Sequence, residues 1–217
     1  LQQTNSLLQV LVDLLESATG RVAASELADL AARPAVRRWF GFDDDDLERL
    51  RDWSVTAGAR WGLGRAQRAD YGLGEYRLNT FSTAVDRILV GVSADESSGG
   101  WLDLVLPLDD VESNDIALAG RFAEFVDRLM VVLRDLRGPQ SGAQWCAALL
   151  RALDLLTDVD ADDAWMDVSA RREIAAAVEF GAATELRLAD TERELERERD
   201  RMRARAVAIY MGGSTGT

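Results

Sequence analysis

Apolar residues recur at three- and four-residue intervals along most of the chain, the spacing that gathers side chains on one face of an α-helix. Asn5 or Ser6 is predicted to cap a first helix, which Gly20 ends. Ser25 is predicted to cap a short second helix, and Pro34 to occupy the first position of a third. The apolar residues expected to face the core from these helices are Leu7, Leu8, Leu11, Leu14, Leu15, Leu27, Leu30, Val36, Trp39 and Phe40.

The same periodicity predicts five further helices. One begins at the acidic run Asp43–Asp46 and ends at Gly58, and the next is capped by Asn79 or Thr80. A long helix over about 115–136 precedes the Gly-Pro break at 138–139, and two more helices follow it. Their expected core residues are Leu47, Leu50, Trp53, Phe81, Val85, Ile88, Leu89, Ile116, Leu118, Phe122, Phe125, Val126, Leu129, Trp145, Leu149, Leu150, Leu153, Leu156, Trp165, Ile174, Ala177 and Val178.

Three segments interrupt this helical pattern. Residues 58–64 form a glycine-rich connection whose spacing does not match a dinucleotide-binding fingerprint. Residues 95–100 read as a polar loop, and 101–108 as an extended apolar segment lying on helices, since Pro107 and the lack of a partner argue against a strand. The predicted fold class is therefore all-α, an irregular multi-helix domain over residues 1–183.

The composition changes after residue 183. Arginine and acidic residues alternate at i,i+3 spacing there, as in a solvated helix stabilised by its own side-chain pairs. We predict a charged C-terminal helix over 184–211 and a flexible tail over 212–217. Large apolar residues are too sparse in this stretch for a coiled-coil seam.

The composition also restricts the chemistry available to the chain. It has no histidine, all 25 of its basic residues are arginine, and Cys146 is its single cysteine. Lysine-dependent phosphate loops, nucleophiles activated by histidine and most zinc sites are thereby excluded. We expect no catalytic residue, cofactor or metal. The single cysteine indicates a reducing cytoplasm, and no apolar run is long enough to cross a membrane.

Acidic residues give the chain a formal net charge of −13. Clusters at 43–46, 109–115 and 158–163 fall at helix starts, where carboxylates cap the helix and oppose its dipole. None has the spacing of a calcium-binding loop, although a metal site is the alternative interpretation. The average field of such a surface repels DNA and anionic membranes, so any contact with DNA is expected to be local.

Four residues are candidates for that local contact: Arg37, Arg38, Arg60 and Trp61. Arginine can contact phosphate, and an aromatic ring can stack on an unpaired base. The alternative for the second pair is structural, with Trp61 filling the core and Arg60 pairing with a nearby acid.

Several segments, in order, resemble the RecC family, the gamma subunit of bacterial exonuclease V (RecBCD). The residues Pro-Ala-Val-Arg-Arg-Trp-Phe-Gly-Phe at 34–42 resemble the family's P-A-V-R-R-R-F-G-L, and Gly-Ala-Arg-Trp-Gly-Leu at 58–63 resembles its G-I-R-W-G-L. Further similar stretches lie at 1–5, 20–25, 79–91 and 106–111. The resemblance fades after about Asp190.

This resemblance implies a helical insertion like the 2B subdomain of superfamily 1 helicases, in a subunit that has lost its ATPase motifs. It implies RecB-like and RecD-like partner subunits, and DNA bound through the parent complex. The expected function is a non-catalytic module that scaffolds those subunits and frames DNA channels during double-strand break repair. Two other classes stay open: a stand-alone acidic helical adaptor or regulator, and an enzyme with a carboxylate-bound metal.

Overall fold

The computed structural model describes residues 5–93, 115–138 and 140–183. Within these ranges the regular structure is helical, apart from one isolated bridge between Ala23 and Trp61. The helices are α1 (Ser6–Thr19), α2 (Ala24–Ala31), α3 (Pro34–Phe40), α4 (Asp44–Thr56), α5 (Arg65–Ala69), α6 (Phe81–Ser93), α7 (Ile116–Asp135), α8 (Gly142–Leu156), a short 3-10 helix (Ala161–Asp163) and α9 (Ala164–Ala183). The predicted all-α class is confirmed for this part of the chain.

Several predicted segments lie outside the described residues: the loop at 95–100, the extended segment at 101–108, most of the acidic cluster at 109–115, the charged helix at 184–211 and the tail at 212–217. None of the described helices combines the length and the apolar content needed to cross a bilayer.

The described residues form two compact units. Unit 1 contains residues 5–19, 33–39, 132–138 and 140–183, and unit 2 contains residues 20–32, 40–93 and 115–131. Both units are assembled from stretches far apart in sequence.

Unit 1 is built on α1, α8 and α9, each of which packs against the other two. Asn5 fixes the start of α1, as predicted: its Oδ1 accepts from the Leu7 N–H at 3.0 Å, and its Nδ2 donates to the Met166 carbonyl at 2.8 Å. Arg171 bonds Asp167 in its own helix and Asp154 in α8, and these hydrogen bonds raise its pKa. The helices thus meet through an apolar core with charged pairs at its edge.

Unit 2 has α4 at its centre, packed against α2 and α6. The rings of Phe40 at the end of α3, Phe42 and Phe125 in α7 form a cluster, with centroids 5.2–6.0 Å apart. Arg121 in α7 pairs with Asp46 in α4 at 2.7 Å. The buried apolar residues of α4, α6 and α7 in this unit are Leu47, Leu50, Trp53, Phe81, Ala84, Val85, Ile88, Leu118, Ala119, Phe122, Phe125, Val126 and Leu129.

The helix starts show where cap prediction succeeds and fails. Asp43 caps α4 by accepting from the Asp46 N–H at 2.7 Å, and Asp46 accepts from the Asp43 N–H in return. The predicted cap at Ser25 is wrong, because α2 begins one residue earlier at Ala24. Its first free N–H, on Ala23, donates to the Glu26 carboxylate at 2.8 Å, so an acid in the first turn replaces a capping hydroxyl.

Some residues predicted to face the core are substantially exposed: Trp39 (40%), Leu89 (37%), Ile116 (59%) and Trp165 (39%). Ile116 and Trp165 lie in the first turns of their helices, and Trp39 lies in the last turn of α3. The apolar stripe read from sequence is wider than the face that neighbouring helices cover, so residues at helix ends and stripe edges reach solvent.

Candidate interaction site around Trp61

The glycine-rich connection 58–64 is held by backbone hydrogen bonds on both sides. The Gly62 N–H donates to the Val22 carbonyl at 2.9 Å, and the Gly62 carbonyl accepts from the Phe81 N–H at 3.0 Å. The Arg60 N–H donates to the Asn79 carbonyl at 3.1 Å. These hydrogen bonds hold the connection between the start of α2 and the start of α6.

Arg68 lies at the centre of this region and is only 5% exposed. Its guanidinium donates to the main-chain carbonyls of Trp61 at 2.9 Å, Tyr76 at 3.0 Å, Leu78 at 2.6 Å and Asn79 at 3.0 Å. Burial lowers the pKa of Arg68, but arginine starts so high that the group stays charged at neutral pH. No carboxylate in the described part of the chain pairs with Arg68, so its charge is solvated by backbone dipoles.

Trp61 packs against cationic and aromatic side chains. The guanidinium carbons of Arg68 and Arg21 lie 4.5 and 5.4 Å from its ring centroid, within the range of cation–π attraction. Tyr71 meets the Trp61 ring edge-on at 5.5 Å, and Arg21 also lies 5.1 Å from the Tyr71 ring. Trp61 is half-buried and Arg21 is exposed, so this cluster reaches the surface.

Gly62 permits this close packing. It adopts φ +79°, which favours glycine, and a Cβ there would lie 3.3 Å from Cγ and Nε of Arg68. The backbone conformation therefore favours glycine, and any Cβ at this position would press against the Arg68 side chain.

The candidate residues Arg60 and Trp61 lie in unit 2 and differ in their surroundings. Arg60 is exposed, and its side chain has no hydrogen-bond or ion-pair partner among the described residues, contrary to the alternative that it pairs with an acid. Trp61 is partly covered by the Arg68 guanidinium. One part of the Trp61 ring therefore packs inside the protein, as expected for a structural residue, and the rest of the ring is accessible to solvent.

The candidates Arg37 and Arg38 lie in unit 1 and have other partners. Arg38 pairs with Asp158 through Nε at 3.0 Å and with Asp160 through Nη1 at 2.7 Å. Arg37 is half-buried and also has an interaction partner. A phosphate at Arg38 would have to displace two carboxylates, which makes this pair the weaker candidate. The acidic stretch at 158–163 instead serves this ion pair and, through Asp160, the cap of the 3-10 helix.

Within the described ranges, no group of three or more acidic or cysteine side chains is arranged to hold a metal ion. Cys146 is half-buried in α8, and burial raises its pKa. The residues that sequence reasoning missed are Arg68, Arg21 and Tyr71. Arg68 stands in the run Arg-Ala-Gln-Arg, where nothing distinguishes it from the exposed Arg65, so no sequence signal could have identified it.

Comparison with known proteins agrees with the sequence resemblance. The family described as the RecBCD enzyme subunit RecC fourth domain matches residues 4–202. The chain is 43% identical over 192 residues to the RecBCD enzyme subunit RecC of Mycolicibacterium smegmatis, covering 88% of this chain and 17% of that protein. It is 45% identical over 193 residues to the same subunit of Mycobacterium tuberculosis strain CDC 1551, with the same coverage.

A more distant relative is RecBCD enzyme subunit RecC of Escherichia coli K12, 24% identical over 157 residues, covering 71% of this chain and 14% of that protein. The chain thus spans about a sixth of the length of these relatives. The family match continues to residue 202, well into the segment 184–211 that the sequence sets apart. The chain belongs to the RecC family, and the region it matches is the fourth domain of that subunit.

Proposed function

We propose that this chain is a non-catalytic helical module of a RecC-type subunit, acting in RecBCD-type processing of double-strand breaks and recombinational DNA repair. Its role is to scaffold RecB-like and RecD-like subunits and to frame the channels through which DNA passes. The observation that carries the proposal is the 43–45% identity to RecC over 88% of the chain. The absence of lysine and histidine from the sequence supports a structural rather than a catalytic role.

The proposal includes the architecture expected from the sequence. We propose that residues 1–183 form a 2B-like domain and that 184–211 form a charged helix, followed by a flexible tail at 212–217. The helical character of both units supports the first part.

Direct DNA contact is proposed at Arg60 and Trp61 in preference to Arg37 and Arg38. The Arg60 side chain is exposed without a described partner, whereas Arg38 already pairs with two carboxylates. Residues 58–79 carry four arginines against two acids in a chain whose net charge is −13. This local positive excess is where a phosphate backbone would meet the least repulsion.

The first test is assembly. The purified chain, checked for helicity by circular dichroism, is mixed separately with tagged RecB and RecD subunits from the same source. Capture by at least one subunit, with no ATPase or nuclease activity of the chain alone, is the expected result. A folded chain that binds neither subunit and does not compete with full-length RecC during assembly contradicts the scaffold role.

The second test addresses DNA. Fluorescence anisotropy on a forked duplex is compared for full-length RecC, its Arg60→Ala/Trp61→Ala variant and an Arg51→Ala control, since Arg51 is an exposed arginine of the same unit. We expect the double variant to lose affinity and to show a shallower salt dependence, because one phosphate contact is gone. Equal loss in the control would mean a nonspecific charge effect, and no loss in either would remove these residues as contacts.

The alternative of a stand-alone acidic adaptor has only the net charge of −13 in its favour, and we do not propose it.

A further inference from the structure

Four large apolar side chains within eight residues are exposed in unit 2. They are Tyr71 (38%), Leu73 (37%), Tyr76 (65%) and Leu78 (69%), and together we call them the apolar strip. Exposed apolar residues are ordinary when scattered singly, but several of them on one short segment make it a candidate interaction surface.

The strip is held in place by one residue. The Arg68 carbonyl accepts from the N–H groups of Tyr71 at 3.0 Å and Leu73 at 2.9 Å. The Arg68 guanidinium donates to the carbonyls of Tyr76 at 3.0 Å and Leu78 at 2.6 Å. The backbones of all four residues therefore converge on Arg68, which holds the segment that carries the strip before any partner binds. Preorganisation of this kind reduces the entropy cost of association.

The margin of the strip carries both charges with an excess of arginine, since Arg21, Arg65 and Arg77 are exposed there against Asp70 and Glu75. Arg21 lies over the Tyr71 ring, and Arg77 lies between Tyr76 and Leu78 in the sequence with an exposed side chain that has no described partner. Arg65 donates to the Gly74 carbonyl at 2.9 Å and pairs with Glu75. Because Glu75 already pairs with Arg65, the guanidiniums that border the apolar centre for a partner are those of Arg21 and Arg77. They are complementary to carboxylates flanking an apolar segment.

We propose that the apolar strip is a docking surface for a partner subunit of the RecBCD-type complex, and that the partner segment presents apolar side chains flanked by acidic ones. This inference rests on the proposed function and identifies the surface through which that function would operate. A protein fits better than a nucleic acid strand for two reasons. Two of the four side chains are leucines, which offer no ring for a base to stack on. Two of the nearby guanidiniums, those of Arg65 and Arg68, are already committed to protein groups.

The strip supplies the centre of an interface rather than its full area. Stable interfaces bury roughly 800 Å² per partner, while a few central aromatic, arginine or large apolar residues carry most of the binding free energy. Tyr76 is the expected anchor, because tyrosine is enriched at such positions and 65% of it is exposed.

The test uses full-length RecC with the changes Leu73→Ser/Leu78→Ser and, separately, Tyr76→Ala. The control variant Val55→Ser/Ile116→Ser removes two exposed apolar side chains of the same unit, which are 73% and 59% exposed. Kd values for immobilised RecB and for immobilised RecD are measured by biolayer interferometry, and circular dichroism checks that each variant is folded. A parallel titration uses a single-stranded oligothymidylate.

We expect both strip variants to raise Kd for one subunit by about tenfold or more, with the control within about twofold of wild type. Unchanged Kd values for both subunits in folded strip variants would overturn the inference while leaving the scaffold role intact. Weaker oligothymidylate binding with unchanged subunit affinity would also overturn it, and would assign the strip to a DNA strand. Wild-type RecC that binds neither subunit would refute the proposed function as well.

Discussion

Replacing Arg68 with methionine is the most informative single change in unit 2. The side chain is 5% exposed, and its guanidinium donates to four main-chain carbonyls that belong to two separate stretches, Trp61 and residues 76–79. Methionine keeps much of the aliphatic volume but has no donor, so the change removes the hydrogen bonds without opening a large cavity.

The size of the effect follows from the hydrogen bonds lost. A hydrogen bond to a charged group contributes roughly 1.5–3 kcal/mol net, and an acceptor left buried without a partner costs about 1–3 kcal/mol. Tyr76, Leu78 and Asn79 are exposed residues, so water can solvate some of the freed carbonyls, and burying methionine avoids the desolvation of a charge. We therefore expect about 3–4 kcal/mol of destabilisation rather than the sum of four bonds. This is a large share of the roughly 5–15 kcal/mol that stabilises a typical domain.

Urea denaturation followed by far-UV circular dichroism measures this loss. With an m-value of roughly 2 kcal/mol/M, the midpoint of the affected transition should fall by about 1.5–2 M. Arg65→Met is the matched control, because Arg65 is an exposed arginine one turn earlier and its loss should cost under about 1 kcal/mol. Arg68→Lys should lie between, since one ammonium cannot span four carbonyls. If the urea midpoint of Arg68→Met is no lower than that of Arg65→Met, the central role of Arg68 in stabilising unit 2 is refuted.

Three other changes test the packing. Gly62→Ala should destabilise the fold by about 1–3 kcal/mol, because Gly62 has a φ of +79° and a Cβ there would lie 3.3 Å from Arg68. Gly120→Ala should instead stabilise it by roughly 0.5–1 kcal/mol, because Gly120 lies in α7 with open space around it. Thermal melts of the two variants, compared with the unmodified chain, test both expectations. Phe125→Ala should cost about 3–5 kcal/mol in chemical denaturation, because its ring is fully buried against two others. At pH 8, Cys146 should react with iodoacetamide more slowly in the folded chain than in urea, because its raised pKa disfavours the thiolate. Mass spectrometry of the alkylated chain measures the two rates. The stability it contributes is present below its ordinary pKa of about 9.0 and is lost as pH rises through the folded value.

The helices could be predicted from sequence because their causes are local. The caps at Asn5 and Asp43 and the stop at Gly20 each depend on residues within one turn, and all three are seen. The failure at Ser25 is local too: Glu26 satisfies the first N–H from inside the helix, so the helix begins before the residue with the best capping side chain. Exposure at Ile116 was not predictable, since it depends on which neighbours cover the start of α7.

The candidate site could be predicted from sequence less completely than the helices. Sequence reasoning selected Arg60 and Trp61 from a conspicuous glycine-rich motif, but it could not find Arg68, whose role arises from carbonyls brought back by residues 76–79. Sequence also ranked Arg38 equally with Arg60, although the two differ in the availability of their charge. Arg38 is neutralised by acids some 120 residues away in sequence, a pairing that only the fold creates.

This difference bears on the DNA contact that we propose for this acidic chain. A net charge of −13 opposes phosphate binding over the surface as a whole. In unit 2 most of the arginines around Trp61 are committed to rings, carbonyls or Glu75, which leaves Arg60 and Arg77 as the exposed cations of this region without described partners. In the proposed function, two such charges would attract a DNA strand only weakly, and the apolar strip would supply the contact with a partner protein. Our proposal therefore assigns the attachment of this domain to protein contacts and limits its proposed DNA contact to the few exposed arginines near Trp61.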